Sequence, residues 1–507
     1  MDHIFTCDTK IEGGLSMIDL TVHQEALERN IQKAKEQQII IPTIAQMKDP
    51  DKIPEAVRER LKKVGLWDVN PLNLFRISWK NEQKERGGLY GNSNYIVLPS
   101  ELTGVKAKII CMIGKWFPTG CHKVGASFGC LAPRLITGQF DVSYHKAVWP
   151  STGNYCRGGA FNSKLLGAQS IAILPAEMSR ERFEWLSKIA GEVIATPGCE
   201  SNVKEIFDKT WELRTTREDV LIFNQFEEMG NYLWHYNVTG SAIADAFEEM
   251  KEEGDRFAGA VFTSGSAGTL ASGDYLKERY PGSRLGVGEA LQCSTLLDNG
   301  FGGHRIEGIG DKHVPWIHNV KNTDMVIDID DEDSQRLIRF FHEPLGREFL
   351  VKECGVDAEF VKNLDYFGIS GIANMLCAIK FAKYYELTEH DVVATVMTDS
   401  AVMYGSRIQE LCDQDGAYTP MMAAVDYTKH IASVKTDYMQ ELTYRDRKRV
   451  HNLKYYTWVE QQGRTPEELD ALWYDEEGTW GSVRRQAEEI DALIDAFNES
   501  TGLLKNM

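Results

Sequence analysis

Four short segments hold residues whose types and spacing can do chemistry together. In Pro118-Thr119-Gly120-Cys121-His122-Lys123-Val124-Gly125-Ala126, a glycine turn delivers a lysine to the expected start of an apolar helix. Backbone N–H dipoles and a second cation nearby favour loss of the ammonium proton, and a neutral amine forms imines with aldehydes. For this nonapeptide alone a solvated surface lysine is the alternative. Ser264-Gly265-Ser266-Ala267-Gly268-Thr269-Leu270 follows a β-rich run and opens a helix. Its small side chains let backbone N–H groups close around a phosphate, unless it is merely a turn. No Gly-Lys-Ser/Thr follows it, and its glycines do not have the dinucleotide spacing. Ser151-Thr152-Gly153-Asn154 offers hydroxyls and amides to a carboxylate and a donor to a ring oxygen, or else a helix cap. Gly368-Ile369-Ser370-Gly371 offers a hydroxyl to a ring nitrogen, or again a cap.

An imine-forming amine, a phosphate cradle, a partner for a pyridine nitrogen and a grip on a carboxylate are what pyridoxal 5'-phosphate (PLP) needs to act on an amino acid. Elements must bring the four segments together. Short β-rich runs at residues 107–113, 171–174, 193–195, 220–223, 258–263, 284–288 and 392–397 alternate with helix-length amphipathic segments, the pattern of a mostly parallel α/β sheet. Ser179 is the expected N-cap of a helix through Phe183, Leu186 and Ile189 that Gly191 ends, and another helix is expected over 240–253. This texture occupies residues 87–408, the expected catalytic core. Residues 1–86, with helical patterns over 23–37 and 53–64, form an N-terminal extension. Residues 409–507, where strands stop and a helix is expected over 482–497, form a helical C-terminal extension.

The 507 residues exceed what one core usually organises, so two lobes are expected. A net charge of −19, with no dense basic block, argues against nucleic acid and anionic lipid as partners. The N-terminus lacks the pattern of a signal peptide and no stretch is apolar for long enough to span a bilayer, so a cytoplasmic location is expected. Ten cysteines without a C-x-x-C pair read as reduced thiols, with Cys121 and Cys156 beside the candidate loops. No metal site is expected, and Cys7 with His3 or His23 has no spacing diagnostic of haem.

In order and spacing the four segments resemble the cysteine synthase and cystathionine β-synthase family of fold type II PLP enzymes, over residues 91–407. Gln225-Phe226 with Asn231, His235, Thr239 and Gly240 is similar to the family's stretch towards its phosphate loop. His304-Arg305-Ile306-Glu307-Gly308-Ile309-Gly310, with Val314-Pro315, resembles its loop over the active-site mouth, and Thr398-Asp399-Ser400 with Tyr404 its last core strand. The resemblance implies a two-lobed, tryptophan synthase β-like α/β fold. It implies Lys123 as the Schiff-base lysine, Gly265, Ser266, Ala267, Gly268 and Thr269 as phosphate ligands, and Asn154 on the 3-hydroxyl of PLP. Ser151, Thr152, Gly153 and Gln225 fall to the substrate, and Ser370 to the pyridine nitrogen with Ser400 in reserve. Three departures leave the substrate open: Cys121 where many relatives have Ser, His122 as in tryptophan synthase β chains, and Val124-Gly125 in place of Asp-Arg.

The implied activity is β-elimination or β-replacement on an amino acid through an aminoacrylate, carried out by a homodimer. A PLP-dependent ammonia lyase or dehydratase, a thiolase-type carbon–carbon bond enzyme with a partner subunit, and a non-catalytic protein on the same fold stay open as alternatives.

Overall fold

A computed structural model describes residues 17–151, 153–199 and 201–507. Thr152, His3 and Cys7 therefore lie outside the described residues.

Among the described residues, eleven strands form two sheets. Strands β1 (Tyr95–Leu98), β2 (Lys108–Ile113), β7 (Arg256–Thr263), β8 (Arg284–Ala290), β9 (Met325–Ile329), β10 (Asp391–Met397) and β11 (Met439–Glu441) make a seven-stranded sheet in the order β1-β2-β10-β7-β8-β9-β11. Only the edge strands β1 and β11 run antiparallel to their neighbours. Strands β3 (Lys146–Pro150), β4 (Gln169–Pro175), β5 (Glu192–Thr196) and β6 (Val220–Ile222) form a second, wholly parallel sheet in the order β5-β4-β3-β6. Helices cover both faces of the larger sheet, so its central strands read as unbroken apolar runs, such as Ile-Ile-Cys-Met-Ile in β2. The mixed α/β fold expected from the sequence is the observed one.

Several expectations need correction. A strand does occur beyond Gln409: β11 spans three residues and pairs with β9 through Met439–Ile327, Gln440–Val326 and Glu441–Met325. Three residues carry no alternation of their own, so only the neighbouring edge makes them a strand. The helix expected over 53–64 is confined to Glu55–Leu61, because Pro54 supplies its entry. Ser179 does precede the helix Arg180–Ile189, but its hydroxyl accepts from Arg182 at 3.3 Å instead of capping, and Ala190 closes the helix. Ser370 lies in the first turn of the helix Ile369–Tyr384, not ahead of it.

The two extensions clasp each other across the core. From the C-terminal helix Ser482–Thr501, Gln486 exchanges two hydrogen bonds with the Ile18 backbone (2.9 and 2.7 Å) and Asn498 two with that of Ile41 (3.0 and 2.8 Å). The Asp491 carboxylate accepts from the Ile44 and Ala45 amides at 2.6 and 3.0 Å. Ile41, Ile44, Met47, Trp458, Trp480, Ile494 and Phe497 pack into the same core as Phe128 and Leu131 of the helix Lys123–Ile136. These segments are thus part of the main hydrophobic interior.

Lys454 is fully buried and donates to the carbonyls of Trp316 (2.9 Å) and His318 (2.7 Å), while Trp458 Nε1 donates to Val314 O at 2.8 Å. These contacts fix the segment 311–319, which continues the loop over the site. Lys454→Met leaves the Trp316 carbonyl without its donor and the His318 carbonyl with Val320 N–H alone, and the expected loss of stability is about 1–3 kcal/mol. A lower thermal midpoint, followed through the fluorescence of Trp316 and Trp458, checks it.

Candidate functional site

Each of the four segments leaves the carboxyl end of a parallel strand or enters a helix beside one. The chain from β2 turns through Gly114–Trp116 and reaches Lys123, first residue of the helix Lys123–Ile136. From β3 it passes Ser151 and Gly153 into the helix Asn154–Leu165. From β7 it makes the Ser264–Thr269 turn into the helix Leu270–Arg279, and from β10 it runs to Thr398 and Asp399. Crevices at the carboxyl ends of strands are where open α/β sheets bind ligands.

A pocket lies there, lined by Lys123, His122, Ala126, His235, Thr263, Gly265, Ser266, Ala267, Gly268, Thr269, Gly308, Ile309, Val396 and Thr398. Lys123 and the whole small-residue turn share this one cavity, although about 140 residues separate them in sequence.

The turn is built for close approach. Ala267 takes a left-handed backbone (φ 64°), a conformation that costs a residue with a Cβ roughly 1–2 kcal/mol and that collects at functional sites. A Cβ on Gly268 would lie 2.2 Å from Asn231 Oδ1. Asn231 cannot swing away, because its amide donates to Gln225 O (2.9 Å) and Ser266 Oγ (3.1 Å). Gln225 is thereby attached to the turn through Asn231.

The imidazoles beside Lys123 are neutral. Burial pushes His122 down to about 3, helped by the charge of Lys123, and drives His235 well below its usual range. Thr239 Oγ1 accepts from Trp79 Nε1 (3.1 Å) and lies 2.9 Å from His235 Nδ1. A hydroxyl both accepts and donates, so this contact fixes the orientation of the imidazole for either tautomer, on a ring that lines the pocket. His235–Thr239 forms a π-helical turn, a distortion frequent at functional sites. Burial pushes the Cys121 and Cys156 thiols up to about 12, which makes both poor nucleophiles.

The remaining predicted residues surround the pocket at one remove. Asn154 Nδ2 donates to Asp399 Oδ2 at 2.7 Å, and Asp399 follows Thr398 of the pocket wall. Ser151 Oγ accepts from Gly153 N at 3.1 Å. Gly153 has φ 147°, and a Cβ there would meet the Arg182 side chain at 2.7 Å. Ser370 Oγ is buried without a hydrogen-bond partner among the described residues and lies 3.8 Å from where a Cβ on Gly308 would stand.

Sequence reasoning did not single out the charge network behind these loops. Fully buried Arg182 pairs with Glu307 and donates to Tyr404 OH at 3.0 Å. Tyr404 OH in turn donates to Asp399 Oδ2 at 2.8 Å, and Arg407 Nε meets Glu307 Oε1 at 2.7 Å. Arg182 belongs to the four-stranded lobe and the other members to the seven-stranded one, so the network ties the lobes together over the site. No local signal marks a buried arginine, because its helix reads as an ordinary amphipathic one.

Architecture and pocket define a protein of the fold type II, tryptophan synthase β-like class. No family model matches the chain. The probable cysteine synthase of Bacillus subtilis is 31% identical over 193 residues, 38% of this chain and 61% of that protein. The cysteine synthase of Staphylococcus aureus is 30% identical over 261 residues, 51% of this chain and 74% of that protein. An O-acetylserine dependent cystathionine beta-synthase from Helicobacter pylori superposes with TM-score 0.52 at 25% identity, over 62% of this chain and 95% of its own. The chain belongs to the cysteine synthase and cystathionine β-synthase family, and it spans 61% of the length of the first of these relatives.

The residues present fit the PLP this family implies: a lysine amine, a glycine cradle that a side chain would fill, and an orphaned buried hydroxyl at Ser370 share one region. Gly268→Ala puts a methyl group against Asn231 and is expected to weaken PLP binding by about tenfold or more in equilibrium dialysis, the equivalent of roughly 1.4 kcal/mol.

Proposed function

We propose that this chain binds PLP in the pocket and acts on an amino acid by β-elimination or β-replacement. The observation that carries the reading is that Lys123 and the Gly265–Thr269 turn line the same cavity. Lys123 would hold the aldehyde covalently, and the N–H groups of Gly265, Ser266, Ala267, Gly268 and Thr269 would hold the phosphate at a helix N-terminus. Asn154 would meet the 3-hydroxyl, and Ser370, with Ser400 in reserve, the pyridine nitrogen. Ser151, Thr152, Gly153 and Gln225 would hold the substrate carboxylate.

When bound, PLP supplies an electron sink that acidifies the substrate's α-carbon. The Lys123 amine would serve as the base at that carbon. Neutral His122 and His235 can donate hydrogen bonds without bringing a competing positive charge. A hydroxyl at the ring nitrogen, in place of a carboxylate, favours loss of a β-substituent over transamination. O-Acetylserine is a first substrate to try, since the Helicobacter pylori relative is dependent on it. A homodimer belongs to the same proposal and is read by sedimentation. So does a cytoplasmic location; no described helix is long and apolar enough to cross a membrane.

The purified protein is expected to absorb near the visible edge, and Lys123→Ala or borohydride treatment is expected to abolish that band. O-Acetylserine, serine or cysteine should then change the spectrum, and product analysis with and without added thiol separates replacement from elimination. Absence of the band in the PLP-saturated wild type would end the cofactor assignment. A band that no amino acid perturbs would end the proposed reaction.

A further inference from the structure

Asp311 is a buried carboxyl with no evident structural task. It follows Gly308 and Ile309 of the pocket wall, and its backbone is pinned on both sides. Gly310 N donates to Ser264 O of the small-residue turn at 2.9 Å, and Gly310 O accepts from His304 Nε2 at 2.8 Å. The Asp311 carbonyl accepts from Thr295 Oγ1 at 3.0 Å. The position of the side chain is therefore set by the same loop that closes the pocket. Yet the residue is only 7% exposed, and Oδ2 has no hydrogen-bond partner among the described residues. A carboxyl oxygen left in this state is costly, in contrast to a fully partnered carboxylate such as Asp274, which accepts from Tyr232, Asn319, Asn322 and Arg484.

Two titratable groups lie within electrostatic range of it. Lys123, from its helix, is the charge that acts on Asp311, and Cys293, from the turn after β8, feels the Asp311 carboxylate in return. Burial raises Asp311 to about 7 against the pull of Lys123, so the carboxyl can both take and return a proton near neutrality.

We propose that Asp311 is the acid–base group of the nucleophile's half of the reaction, taking the proton of a nucleophile that arrives as X–H, a thiol or water. This rests on the β-elimination or β-replacement reading above. The X–H bond breaks and its proton passes to an Asp311 oxygen. The electron pair left on X forms the bond to the substrate's β-carbon, the π bond between the α- and β-carbons breaks towards the α-carbon, and that carbon takes a proton from Lys123. A nucleophile that is already an anion needs no such group, which separates this role from mere positioning.

The test compares wild-type and Asp311→Asn holoenzymes in two mixing steps. O-Acetylserine or serine is added alone and the cofactor spectrum followed. 2-Mercaptoethanol, azide or buffer is then added. Asp311→Asn should keep the first phase and the azide phase and slow the thiol or water phase by about 10²-fold or more. The arm that slows identifies thiol or water as the physiological class. In the wild type the slowed arm should quicken as pH rises through about 7, where Asp311 becomes a carboxylate, and the variant should lack that limb. Independently of turnover, the infrared band of a protonated carboxyl should titrate near neutral pH with and without PLP, and be missing in Asp311→Asn. Equal slowing of azide and thiol, loss of the first phase, or an unchanged infrared titration overturns the assignment. A wild-type holoenzyme with no first phase overturns the proposed reaction itself, and this assignment with it.

Discussion

Parallel strands deliver the chain to one edge of the sheet, and the site depends on that. Because β2, β10 and β7 are adjacent and run the same way, the segment to Lys123, the Thr398–Asp399 corner and the Ser264–Thr269 turn emerge side by side. The second sheet, between β2 and β7 in sequence, points its β3 exit at the same place and brings Ser151, Gly153 and Asn154 against Asp399. A lysine and a phosphate-type turn far apart in sequence then need no special device to meet. Helix starts supply the field: Lys123, Asn154, Leu270 and Ile369 each open a helix whose N-terminal N–H groups face the crevice.

Within that field, burial sorts the ionisable groups. Histidines and cysteines around Lys123 are held neutral, since a second charge in a closed pocket would go unpaired. Arginines deeper in are permitted because each meets a carboxylate or a carbonyl: Arg182 pairs with Glu307, and Arg157 donates to Thr119 O at 2.9 Å in the lysine loop. The network adds little net stability for its desolvation cost, but losing one partner would strand the others. Its members come from both lobes, so it also defines how the lobes meet.

The extensions complete the loop that carries Gly308 and Asp311. Without Lys454 and Trp458, the carbonyls of Val314 and Trp316 would lose their donors and that of His318 one of its two. The N-terminal extension reaches the pocket as well, since Trp79 donates to the threonine that orients His235. Segments that look like additions to a catalytic core are thus in hydrogen-bond contact with its working parts.

Much was legible in the sequence because it is local. The strands of the core are apolar runs that any short window reveals, and the ends of β2, β4, β7, β8 and β10 lie within two residues of where those runs place them. The loops at Lys123, Ser151, Ser264 and Gly368 were legible for the same reason: a small-residue turn between a strand and a helix is written in consecutive residues. Tertiary structure alone decided what depends on distant partners. β11 is a strand only because β9 is beside it, Ser179 gives up its cap to a guanidinium, and the pocket-lining Ile309 and Val396 look in sequence like any core residue. The same holds for Asp311, whose carboxyl has the usual acidity in any exposed loop and an altered one only where a folded chain removes water and leaves it within electrostatic range of Lys123. Propensity and periodicity act between near neighbours, whereas desolvation and electric field are set by residues that folding alone brings close.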